Sequence, residues 1–221
     1  MTDSPTNPQA PAQDDVPSRK LMVTLAGAGA LAGLMIVFVY GWTQPTIQAY
    51  KARMLAAAVQ EVLRMPARYD TLYVHDGRLV DQLPDGSSAI GVEAVYLGYD
   101  ADGSPIGYAI AAGEPGFQDI IGIIFGYDHR NGKILGMKVL ESKETPGLGD
   151  KIEKDADFVG QFDGALTPLL GVKARNASGD PHEIDMITGA TISSRTIIRT
   201  INNAVERLGP MLDAYEENTG P

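Results

Sequence analysis

The decapeptide Asp185-Met186-Ile187-Thr188-Gly189-Ala190-Thr191-Ile192-Ser193-Ser194 leads into a run where Ile197, Ile198, Ile201, Ala204, Val205, Leu208, Met211 and Leu212 recur at three- and four-residue steps. That is the period of one buried helix face, so the spacing predicts a helix from about Ser193 to Glu217. Thr188, Thr191, Ser193 and Ser194 are residue types that cap a helix start, and Gly189 permits a tight turn or close backbone approach to a ligand. The first turn of such a helix presents unpaired N–H groups and the positive end of the dipole, which together suit a phosphate without any cationic side chain. Thr188 or Thr191 would serve equally as a plain cap. A helix with one apolar face also needs a second layer to cover.

Upstream segments supply that layer. Asp76-Gly77 makes a turn between short extended pieces, and residues 91–99 read as a strand with alternating and aromatic positions. Asp102-Gly103 turns the chain into a second strand at 106–112. Residues 119–127 form a buried apolar strand, Asn131-Gly132 a hairpin turn, and residues 133–140 the returning partner. These strands predict one antiparallel sheet. A helical segment at 151–162 and the C-terminal helix would cover a face of it, giving an α+β fold.

Directly after the 133–140 strand stands Glu144-Thr145-Pro146-Gly147-Leu148-Gly149. Its Pro-Gly pair predicts a tight turn with glycine where φ is positive. Without side chains at Gly147 and Gly149 the backbone can lie against a flat ring, and Leu148 can cover an apolar face; turn chemistry alone would account for the same residues.

Residues 1–18 are rich in Pro, Ser, Thr, Asn, Gln and Asp, a composition that predicts a disordered tail. Every residue in 21–40 is apolar, small or a single Thr, enough helix to span about 30 Å of hydrocarbon. With Arg19-Lys20 ahead of it and Tyr40 and Trp42 at an interfacial position, residues 19–42 are expected to be a transmembrane anchor. Its apolar run is longer than a usual signal-peptide core and no clear cleavage site follows. Lys51 and Arg53 nearly balance Arg19 and Lys20, so charge alone leaves the orientation open. Pro45 falls at a helix first turn, and the stripe from Ile47 to Leu63 gives a connecting helix over 43–66 that ends before Pro66. The remainder, 67–221, is then one domain.

The formal net charge of -10, with no Lys/Arg cluster, argues against nucleic acid as a partner. The sequence has no cysteine, which rules out disulfides and thiolate-held metal or iron–sulfur sites, so redox chemistry needs a cofactor anchored otherwise. His75, His129 and His182, each beside Asp or Pro, read as exposed turn residues, not a metal site.

Asp185-x-x-Thr188-Gly189-Ala190-Thr191 resembles the flavinylation motif of the FMN-binding domain family found in RnfG and NqrC subunits, and Glu144-Thr145-Pro146-Gly147-Leu148-Gly149 is similar to the loop that precedes it there. The two elements stand in the family's order, about forty residues apart, behind a single N-terminal span. The modest length sits closer to RnfG. The resemblance implies FMN esterified through its phosphate to Thr191, with Thr188, Gly189, Ala190, Ser193, Ser194 and Asp185 around that bond. It places Glu144, Thr145, Pro146, Gly147 and Leu148 at the flavin ring.

It further implies that a separate flavin transferase makes the bond. No His or Lys neighbours Thr191 in sequence as a base, and no catalytic residue is expected. Lys143 is a candidate for stabilising reduced flavin, with a solvated charge as its alternative. The implied role is an electron relay in an Rnf-type membrane complex that couples electron transfer between ferredoxin and NAD to Na+ or H+ movement. Its tail would be cytoplasmic and its domain periplasmic, anchored in the inner-membrane bilayer beside other membrane and redox subunits. The rival expectations are an NqrC-type subunit of a sodium-pumping quinone reductase, another membrane-anchored flavoprotein, or a cofactor-free assembly module.

Overall fold

The computed structural model describes residues 17–84, 86, 91–173, 176 and 178–219. Nearly all of the predicted tail therefore lies outside the described residues. The chain divides into two compact units after Lys51. Helix α1, Ser18–Val62, carries 45 residues and includes Pro45 without a break. The residues expected as anchor and those at 43–62 of the expected connecting helix thus lie in one element. Proline removes one rung of the backbone ladder, and the neighbouring Thr43 hydroxyl donates to the carbonyls of Val39 (3.0 Å) and Tyr40 (3.1 Å). The first part of α1 is long and apolar enough to cross a membrane.

The second unit is built on a six-stranded sheet of order β2-β1-β3-β4-β5-β6, antiparallel throughout. Its strands are β1 (Arg68–His75), β2 (Arg78–Val80), β3 (Ala94–Tyr99), β4 (Pro105–Pro115), β5 (Ile120–Asp128) and β6 (Lys133–Glu141). Asp76 and Gly77, both at positive φ (48° and 73°), close the β1–β2 hairpin in the geometry that matches strand twist.

Alternation along the strands sends side chains to two cores. Val95, Ile110, Ile123 and Phe125 pack with Ile197, Ile201, Leu208 and Leu212 of helix α4 (Thr191–Thr219). On the other side Ala109 and Ile124 pack with Ala58, Val59, Val62 and Leu63 at the end of α1. A Cβ at Gly126 of β5 would run into the Val62 carbonyl, so the bare backbone there is what lets the helix end lie down on the sheet.

Three features depart from the sequence pattern. The 151–162 helix is two pieces, α2 (Lys151–Lys154) and α3 (Ala156–Gly160). Asp155 breaks them by taking extended geometry and capping α3, its carboxylate accepting from Asp157 N (3.1 Å) and Phe158 N (3.2 Å). A parallel pair, β7 (Leu170–Lys173) with β8 (Glu183–Met186), was not expected; at four residues each, the strands are too short for a readable alternation. His129, expected to be exposed, has a side chain only 14% exposed and meets Asp213 of α4 at 2.7 Å.

Candidate functional site

Strand β8 delivers the chain to the start of α4. Asp185 and Met186 lie in β8, and Ile187, Thr188, Gly189 and Ala190 form the turn ahead of Thr191, the first residue of the helix. Gly189 takes φ 87°, a conformation that L side chains rarely adopt. Ser194 locks the turn from inside: its hydroxyl donates to the Ala190 carbonyl (3.0 Å) and accepts from the Ile187 N–H (3.2 Å). The N–H groups of Thr191, Ile192 and Ser193 belong to the first turn, which has no helical carbonyl ahead of it to bond. The Thr191 hydroxyl is half-buried and makes one long contact, 3.5 Å to the Ile187 carbonyl.

Facing this helix start is the loop after β6. Gly147 sits at φ 79°, as the Pro-Gly turn requires, and the Leu148 N–H closes the turn on the Thr145 carbonyl (3.1 Å). The Leu148 side chain comes within 4.0 Å of where a Gly189 Cβ would stand, so the two quoted motifs meet in space. Between them lies a cavity of about 330 Å³ lined by Thr145, Leu148, Gly149, Gly189, Thr191 and Ile192 among others. That volume is within the usual range for a small-molecule site.

The structure brings together Glu144, Thr145, Leu148, Gly189, Ala190, Thr191 and Ser193 around that cavity. Asp185, Thr188, Pro146, Gly147 and Ser194 are outside the lining set; they shape the turns that carry it. Asp185 is fixed through its main chain, its N–H donating to Gln161 Oε1 (2.6 Å) and its carbonyl accepting from Gln161 Nε2 (3.3 Å). Glu144 is the titratable group in the lining, and both carboxylate oxygens are engaged by the protein. Lys143 pairs with Asp119 at 2.5 Å, outside the lining, and this hydrogen bond raises the lysine and lowers the aspartate from their ordinary pKa values.

One lining residue, Phe117, escaped the sequence pattern. It sits 66% exposed on the turn joining β4 to β5, beside Leu148 and Ile192, which are 52% and 50% exposed. The available signal was an aromatic residue between turn formers, Gly116-Phe117-Gln118-Asp119. The chain thus offers backbone donors with no intrahelical partner, a glycine-bared backbone and three exposed apolar side chains at one opening. That set fits a flavin mononucleotide, whose anion needs donors and whose ring needs flat apolar cover. Among the described residues no cluster of His, Asp or Glu could hold a metal ion.

Residues 116–206 match the FMN-binding domain family. The RnfG subunit of the ion-translocating oxidoreductase complex of Vibrio vulnificus is 33% identical over 85% of this chain and 88% of its own length. The corresponding RnfG subunit of Methanosarcina acetivorans is 29% identical over 85% of this chain and 92% of its own. The fold resembles that of Shewanella oneidensis NqrC, with a TM-score of 0.62 at 16% identity, covering 75% of this chain and 99% of that one.

Proposed function

From the premise that the chain belongs to the RnfG family of ion-translocating oxidoreductase complex subunits, we propose that it carries FMN esterified through phosphate to Thr191 and relays electrons inside such a complex. It is an FMN-binding, electron-transferring subunit of that oxidoreductase, with no complete reaction of its own. Bound FMN supplies one- and two-electron transfer; the protein supplies placement and electrostatics.

The observation that carries the reading is the meeting of the Thr191 helix start with the Glu144-to-Gly149 loop around one cavity. The N–H groups of Thr191, Ile192 and Ser193 would hold the phosphate, aided by the helix dipole at roughly 0.3 to 1 kcal/mol. Leu148, Ile192 and Phe117 would flank the ring, and the Thr145 hydroxyl would reach its polar edge. Gly189, Ala190 and Ser193 would leave room for the linkage, while Asp185, Thr188, Ser194, Pro146 and Gly147 hold the two turns in shape. Glu144 takes part from beneath, through the chain rather than the ring.

Among the described residues no His or Lys lines the cavity, so the esterification falls to a flavin transferase. In that step the Thr191 oxygen bonds to phosphorus, the bond from phosphorus to the donor's leaving group breaks, and the hydroxyl proton leaves with that group. A carrier outside the cytoplasm cannot recapture lost FMN, which gives covalent attachment its use. The proposed setting is an inner-membrane anchor through the apolar part of α1, with the flavin domain on the periplasmic side. Its proposed partners are the complex's other subunits, relaying electrons between ferredoxin and NAD. Intact-mass measurement on chain made together with a flavin transferase tests the linkage. A mass increase equal to FMN minus water, lost in Thr191→Ala, is expected; an unmodified polypeptide overturns it.

A further inference from the structure

We propose that Glu144 is a positioning residue for the flavin: its carboxylate latches the 116–119 turn to the first turn of α4 and so holds Phe117 over the cavity mouth. The inference rests on the FMN reading above. Glu144 is 7% exposed, and its oxygens are spent on two different elements. Oε1 accepts from the N–H groups of Phe117 (2.9 Å) and Gln118 (3.1 Å), and Oε2 accepts from the Ser193 hydroxyl (2.7 Å). A buried carboxylate is stable only when so satisfied, and losing it would strand two N–H groups and a hydroxyl at once.

The slot around it is cut to size. A Cβ at Gly116 would stand 2.6 Å from Oε1, and one at Gly149 would stand 2.5 Å from Oε2 and 2.7 Å from the Glu144 Cβ. Two further links tie the loop to the turn: Gln118 Nε2 donates to Thr145 Oγ1 (2.7 Å), and Lys143 meets Asp119 (2.5 Å). Both are exposed, whereas the Glu144 bonds are sheltered and charge-assisted, so Glu144 dominates the latch. Phe117 is 66% exposed, and its N–H is held by Glu144. An aromatic ring held in water at a cavity mouth gains apolar cover once a flat ligand occupies the cavity. The turn is then a third wall of the flavin site, beside the loop and the helix start.

The test uses full-length chain in detergent, flavinylated in cells that contain the transferase. Iodide quenching of flavin fluorescence reports access to the ring, and intact mass reports attachment separately. In the flavinylated fraction identified by intact mass, Phe117→Ala should raise the quenching constant roughly twofold, as a covered ring face opens to water. Glu144→Ala should raise quenching as far with Phe117 still present, and the double variant should go no further than either single one. Glu144→Gln retains an oxygen for the two N–H groups and should fall between wild type and Glu144→Ala. Unchanged quenching in Phe117→Ala overturns the proposal, as does additivity in the double variant. Should Glu144→Ala fail to fold, Ser193→Ala and Glu144→Gln carry the test, and quenching at the wild-type value in both overturns it. Wild-type chain without attached flavin overturns the FMN reading as well, an outcome the mass separates from a failed latch.

Discussion

The two ends of α4 are built to different ends. From Thr196 onward the helix is fastened to the sheet. Arg199 and Asn203 hold Glu114, Arg207 makes paired bonds to Glu93 (2.9 and 2.6 Å), and Tyr108 donates to Glu216 (3.1 Å). Along the same length Ile197, Ile201, Leu208 and Leu212 are wholly or almost wholly buried. At the first turn the N–H groups of Thr191, Ile192 and Ser193 have no helical carbonyl ahead of them, the Thr191 hydroxyl makes one long contact, and the Ile192 side chain is half in water. One helix thus holds the fold with its body and turns its N-terminus to the cavity. Stability and binding should therefore separate along its length.

Substitutions along α4 probe that separation. Thr191→Ala should abolish attached flavin, seen by intact mass, while unfolding shifts by at most about 1 kcal/mol, since the hydroxyl makes only one long contact to the Ile187 carbonyl. Flavin retained at Thr191→Ala would move the anchor to another hydroxyl, Thr188 first. Leu208→Ala should do the reverse, costing about 2–5 kcal/mol in denaturant unfolding through a core cavity, with flavin still attached to the folded fraction. Loss of flavin in step with stability there would erase the division.

Tyr108→Phe should cost about 0.5–1.5 kcal/mol by removing one hydrogen bond. It should also flatten alkaline unfolding. Burial, then Glu216, raises the Tyr108 hydroxyl above its ordinary value. The unfolded chain thus releases this proton first as pH climbs past about 10, and the stability it contributes is full below that pH and lost above it. An unchanged alkaline limb in Tyr108→Phe would show that this tyrosine does not set it. Smallest should be Arg207→Ala, at about 0–1 kcal/mol and weaker in high salt, because the pair with Glu93 is half exposed. A salt-independent loss beyond that range would mean that α4 is held by its ion pairs more than by its core.

Much of this was legible in the chain itself. The helix stripe after Ser194 is realised as α4, beginning two residues earlier at Thr191, because its apolar repeat runs unbroken for many turns. Strands β5 and β6 and their Asn131-Gly132 turn lie within a residue of expectation, alternation and turn chemistry agreeing there. Both glycine-bearing motifs fall on turns, at Gly147 and Gly189 with positive φ. Other features were hidden. The β7–β8 pair joins segments whose strands are too short to show a period, and the cover on the second sheet face comes from the tail of α1, whose apolar pattern merges with that of the apolar span before it.

Local chemistry therefore determined the elements: an apolar span, a meander of strands, a final amphipathic helix, and two turns able to approach a ligand closely. It also determined that any redox group must be held without thiolates, since there is no cysteine to supply one. Only the tertiary structure decided that Glu144 reaches across to Phe117, Gln118 and Ser193, and that Leu148 closes over Gly189. Periodicity and turn preference act over a few residues along the backbone. A carboxylate choosing partners tens of residues away in both directions does so only after the sheet has brought them within hydrogen-bond reach.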